Sequence, residues 1–158
     1  MRLWRIAAET RDYPADDLSG NGAARFPGRW NDIGEPLVYC ATALSLAVLE
    51  TTAHLHGALP LNRFVVVIEV PDPVWKARQE LAADALPAAW RAIPAGQASM
   101  RIGSHWLASG RSAILLVPSA IVPEEQVALI NPLHPDSRTI RAEVTRAFHY
   151  HALLRAAQ

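Results

Sequence analysis

Apolar residues come in short blocks separated by turn-forming residues. Leu3, Trp4 and Ile6 around Arg5 predict a first strand, and the polar run from Glu9 to Gly22, with Asp12, Pro14, Asp16, Asp17, Gly20 and Asn21, predicts a loop. Leu37, Val38, Tyr39 and Cys40, entered through the turn signal Gly34-Glu35-Pro36, predict a second strand. With Thr42 as its cap, the run Ala43, Leu44, Leu46, Ala47, Val48 and Leu49 predicts a helix apolar on almost every side and therefore buried, closed by Gly57 and Pro60. Arg63–Val70 carries a continuous β-branched run, the pattern of a strand covered on both faces, and Pro71-Asp72-Pro73 ends it.

The second half has the same grain. Asp84 is placed to cap a short helix over Ala85–Arg91, with Trp75 and Trp90 packing on the sheet, and a helix is expected from about Ala98 to Ala108, stopped at Gly110. Ser112–Ser119 predicts another buried strand. Pro118 cannot donate a ladder hydrogen bond, so the strand ends there and delivers Ser119 to its mouth. Val127–Ile130 is a short strand, and Asn131–Asp136, with Pro132 and Pro135, a rigid turn. Arg141–Leu154 reads equally as strand, from Val144, Phe148 and Tyr150, or as helix, from its alanines.

A chain of 158 residues has room for one full core, so a single compact domain spanning residues 1–158 is expected. Hydrophobic residues make up 51% and charged residues 19%, with fifteen acids against fifteen bases, which favours neither disorder nor direct nucleic-acid binding. The one cysteine, Cys40, falls in a predicted buried strand and reads as core rather than nucleophile. The opening lacks a signal-peptide pattern, and no apolar run approaches the roughly 18 residues of a membrane span, so a cytoplasmic protein without membrane contact is expected.

Glu50 stands out because a carboxylate on so apolar a helix must reach a wet cleft or be paired. His54 follows one turn later on roughly the same face. A core helix whose glutamate emerges at the solvent edge would show the same pattern. Arg29 in the turn Gly28-Arg29-Trp30-Asn31 offers a planar fork for phosphate oxygens beside a glycine that permits close approach, and Tyr39 offers an aromatic face and a hydroxyl. Together these form a candidate pocket for a nucleotide whose reaction centre becomes positive. Glycine-rich phosphate loops are absent, and the six histidines, including His54 with His56 and His149 with His151, show no recognised metal spacing, so no metal is expected.

The stretches GRWNDIGEPLVYCATALSLAVLE, Gly28 to Glu50, and ILLVPSAIVPEEQVALINPLHPD, Ile114 to Asp136, with LWRI around Arg5, resemble the signatures of the RES domain family over almost the whole chain. The resemblance implies a mixed-sheet α+β fold like that of ADP-ribosyltransferases, and NAD+ as a substrate rather than a true cofactor. It implies a toxin that cleaves the nicotinamide–ribose bond and passes ADP-ribose to phosphate or water. The alternatives are transfer of ADP-ribose to a host protein, or a non-catalytic nucleotide-binding regulatory module. The motif residues map to Arg5, Arg29, Tyr39, Glu50 and Ser119: Glu50, Arg29, Tyr39 and Ser119 as catalytic, and Arg5, Arg29, Tyr39 and Ser119 as contacts to NAD+. The implied partner is an Xre-like helix-turn-helix antitoxin covering the site entrance, with self-association open. The chain departs from the family pattern at Gly103-Ser104-His105-Trp106, where an acidic residue is common, and at His151, where an aspartate is common.

Overall fold

The computed structural model describes residues 1–53 and 60–150. Seven strands form one sheet: β1 (Arg2–Ala7), β2 (Val38–Ala41), β3 (Phe64–Glu69), β4 (Gln79–Glu80), β5 (Ile114–Pro118), β6 (Gln126–Ile130) and β7 (Arg141–Ala147), in the order β4-β5-β6-β2-β1-β3-β7. All neighbours are antiparallel except β4 and β5, which makes the sheet mixed. Among the described residues four α-helices accompany it: α1 (Asn21–Arg25), α2 (Leu44–Thr52), α3 (Asp72–Lys76) and α4 (Gln97–Ser109). The fold is the expected α+β class.

Strand side chains alternate between two apolar cores, one on each face of the sheet. Val38 and Cys40 of β2, Ile114 and Leu116 of β5, and Leu3 of β1 meet Ala15 of the first loop and Val74 of α3. On the other face, Ala41, Leu115, Val117 and Leu129 meet Leu46 and Ala47 of α2, Trp106 of α4, and Trp30 and Trp90. β3 contributes to both cores, Val66 and Ile68 to one and Val65 to the other, which is why its β-branched run has no polar partner positions. β1 registers with β3 from Arg2 to Ala7 but with β2 only at Trp4 opposite Ala41, and α2 packs across that narrow joint, touching both strands.

Several expectations are corrected. Thr42 does not cap α2: its amide and hydroxyl both donate to the Gln126 carbonyl, tying the end of β2 to β6, and Ala43 holds the cap position without a side-chain bond. Nor is α2 buried all round, since only Leu46 and Ala47 are covered and Leu49 is 38% exposed. An apolar sequence on a short helix at the edge of the core does not require complete burial. Residues 85–91 do not form one helix. Pro87 divides the segment into 3₁₀ turns at Ala83–Ala85 and Ala88–Arg91. The last two residues of the polar loop begin α1, and the ambiguous C-terminal stretch is the edge strand β7 over Arg141–Ala147. His54, His56, Gly57 and His151 lie outside the described residues, as does the end of the C-terminal segment.

Candidate active site

Asn31 builds the loop that carries Arg29. Fully buried, it accepts from the Gly28 amide at 2.9 Å and the Tyr39 hydroxyl at 2.8 Å through Oδ1, and donates through Nδ2 to the carbonyls of Ala23, Asp32 and Glu35. The Tyr39 hydroxyl in turn accepts the Trp30 amide at 3.0 Å. Tyr39 is thus a strut between β2 and the loop. Burial pushes its phenol well above the ordinary value, more than the Trp30 amide and the Arg29 charge pull it down, so the proton stays available for Asn31. Gly28 permits this contact, because a Cβ there would stand 2.6 Å from the Tyr39 oxygen.

The far side of the loop rests on α4. A Cβ at Gly103 would lie 1.8 Å from the Trp30 carbonyl oxygen, so only glycine lets helix and loop come this close. Ser104 donates to Glu35 Oε2 at 2.6 Å, and the Trp106 indole donates to Ser112 at 3.0 Å, while His105 is exposed. Gly103 and Ser104 thus pack and hydrogen-bond against the back of the loop, while Trp106 ties α4 to Ser112 just before β5. Trp30 stacks on Trp90 with ring centroids 6.2 Å apart.

Arg29 extends from this platform, its Nη1 donating to the carbonyls of Trp90 at 2.6 Å and Ala92 at 3.0 Å. Its Nε and Nη2 have no partner among the described residues. Desolvation lowers the Arg29 pKa, and the Arg91 charge lowers it further, while the negative charge of Glu50 raises it. Glu50 is thus near enough to act on the Arg29 charge, and the two form no ion pair.

Glu50 is held from the opposite side. Ser119, fully buried at the end of β5, accepts the amides of Ile121 and Val122 at 3.1 Å each and donates to Glu50 Oε1 at 2.6 Å. Oε2 has no partner among the described residues, which leaves a half-buried carboxylate with one oxygen fixed and the other open. Backbone bonds from Ser119 to Glu125 and from Glu125 to Val122 close the loop around it.

Four of the five sequence candidates, Arg29, Tyr39, Glu50 and Ser119, belong to the side of the sheet covered by α2 and α4. Arg5 does not join them. It alternates with Trp4 and Ile6, shares the Leu3 and Val66 face, and donates to the Asp17 carbonyl at 2.9 Å. Its charge acts on Cys40, whose thiol is nevertheless pushed up to about 12 by burial and stays protonated. Two residues of the site were missed in the sequence. Asn31 gave a signal, an asparagine in a glycine turn, that was attributed to the turn alone. Arg91 gave none, because only the fold brings it to Arg29.

A cleft of about 430 Å³ between Thr42, Leu81, Pro118 and Glu125 opens at the same end of β5 as Ser119, but its walls contain none of these side chains. No helix among the described residues is long and apolar enough to cross a membrane.

The arrangement sets a guanidinium whose Nε and Nη2 have no partner among the described residues, suited to an anion, near a carboxylate able to stabilise positive charge. Comparison with known proteins agrees with the chemistry. The RES domain family model matches residues 2–152. A "Prs ADP-ribosylating toxin" of Sphingobium sp. (strain YBL2) is 52% identical, covering 94% of this chain and 92% of its own. Proteins named "Toxin Res" from Yersinia enterocolitica and Photorhabdus laumondii are 39% and 41% identical, covering 91% and 86% of this chain and 92% and 85% of theirs. The chain belongs to the RES domain family.

Proposed function

We propose that this protein is a toxin that breaks the bond between nicotinamide and ribose in NAD+ and transfers the ADP-ribose to a protein side chain. The observation that carries the reading is the carboxylate of Glu50 fixed by Ser119, with its charge acting on Arg29. As the glycosidic bond breaks, its electron pair goes to the pyridinium nitrogen and leaves neutral nicotinamide, while positive charge builds on the ribose. Glu50 stabilises that charge and accepts a hydrogen bond from a ribose hydroxyl. An acceptor then adds to the anomeric carbon and releases a proton. The contribution of Glu50 is electrostatic and largest in the transition state. The open donors of Arg29 bind the diphosphate, and the exposed part of the Tyr39 ring packs on the nicotinamide or ribose. NAD+ is consumed and is not a resident cofactor.

A protein acceptor is favoured by the ADP-ribosylating name of the 52% identical relative. Sequence alone placed phosphate or water first. The partner is an Xre-like helix-turn-helix antitoxin that restrains the toxin by covering this entrance and supplies DNA contact that a chain of balanced charge does not.

The test is to incubate the purified chain with NAD+ labelled in its adenylate half and a bacterial extract, and to follow both nicotinamide and label. Release of nicotinamide with label on a discrete protein is expected. Free ADP-ribose, or its phosphorylated product, in place of labelled protein would overturn the acceptor and make the protein an NAD+-degrading enzyme. Label retained on this chain as intact NAD+, without nicotinamide release, would make it a nucleotide-binding module.

A further inference from the structure

Arg91 lies outside the family signatures quoted above, yet the fold sets it at the edge of the site. The two carbonyls that Arg29 grips, Trp90 and Ala92, flank Arg91 on either side, so the guanidinium of one arginine is fastened to the backbone of the other. Arg91 leans back over Trp90, 5.9 Å from the ring centroid, and its Nη2 reaches the carbonyl of Ala120, the residue after Ser119, at 3.4 Å. Arg91 thereby spans from the Arg29 anchor to the loop that fixes Glu50.

Among the described residues, neither Arg29 nor Arg91 has a carboxylate within ion-pair distance, although the two cations are near enough for Arg91 to disfavour the charge on Arg29. Like charges held close on a shared backbone clip repel each other, and a ligand with two adjacent negative groups removes that repulsion on binding. The single long bond to Ala120 leaves most of the Arg91 donors to solvent.

We propose that Arg91 is a second diphosphate-binding residue, closing with Arg29 on the two linked phosphates of the dinucleotide, one guanidinium to each. This rests on the reading of the site as one that consumes NAD+. The pairing would select diphosphate-bearing nucleotides over nucleosides and nucleoside monophosphates, because only a diphosphate engages both cations.

The test is calorimetric titration of the purified wild type and of Arg91→Gln and Arg91→Lys with ADP-ribose and with adenosine, alongside KM and kcat for NAD+. Arg91→Gln should weaken ADP-ribose binding about 10- to 100-fold, the scale of losing a charge-assisted hydrogen bond, and raise KM far more than it lowers kcat. Adenosine affinity should be unchanged, and Arg91→Lys should recover part of the loss. Equal weakening of ADP-ribose and adenosine would make Arg91 a structural prop for Trp90 and overturn the proposal, as would unchanged ADP-ribose affinity in Arg91→Gln. A wild type that binds no ADP-ribose would overturn the NAD+ reading itself, and the proposal with it.

Discussion

The Ser119 hydroxyl accepts two amides and donates its one proton to Glu50, so its hydrogen-bonding capacity is filled by the protein. A serine at a strand mouth invites the reading that it touches the ligand, whereas this geometry makes it a positioning residue acting through Glu50. Ser119→Ala leaves two amides without an acceptor and frees one carboxylate oxygen. Stability should fall by about 1–3 kcal/mol, and turnover by roughly tenfold or more, with ADP-ribose affinity retained. Chemical denaturation, steady-state kinetics and titration of the same preparation check this; lost affinity with normal turnover would return Ser119 to the ligand. At this scale Glu50 and Arg29 were legible because their chemistry is unusual for their surroundings. The filled hydroxyls of Ser119 and Tyr39 were not, since their partners Glu50 and Asn31 are assigned by the fold. Arg5 was picked out with the others, but strand alternation turns it to the opposite face from Tyr39.

Between elements, the decisive contact is that of α4 with the loop before β2. Gly103 admits the Trp30 carbonyl, Ser104 binds Glu35, and Trp30 stacks on Trp90, so helix, loop and 3₁₀ turn hold Arg29 as one unit. Gly103→Ala would drive a methyl group into backbone that cannot yield as a side chain would. Destabilisation of about 1–3 kcal/mol is expected, with weaker ADP-ribose binding as the loop shifts, although residue 103 touches no ligand. Thermal melting with and without ADP-ribose measures both effects; unchanged melting and affinity would show that helix and loop are not coupled. Strands β3, β5 and β6 were readable from their apolar runs, and α4 from its span and its glycine stop. The 3₁₀ turns at residues 83–91 and the edge strand β7 were not: Pro87 interrupts a run of good helix formers, and an edge strand with an exposed face lacks the apolar alternation that marks a covered one.

For the molecule as a whole, the sheet separates support from chemistry. One face buries Cys40 and Ala15 of the first loop and carries Arg5 at its partly exposed edge, while the other side holds Arg29, Tyr39, Glu50 and Ser119 on a loop, a strand, a helix and a strand end. The class of fold and most of the site were legible because two ordered stretches of sequence carry them. The acceptor was not, since a protein is recognised by the surface around the site, which no short motif encodes. The central claim is that Glu50 stabilises positive charge forming on the ribose of NAD+. The most direct test is nicotinamide release from NAD+ by purified wild type and Glu50→Gln, a swap that keeps an oxygen for the Ser119 bond but removes the charge. The account predicts steady release by the wild type and a loss of about 10²-fold or more in the variant, with ADP-ribose affinity largely kept. Near-equal release by both proteins would contradict it.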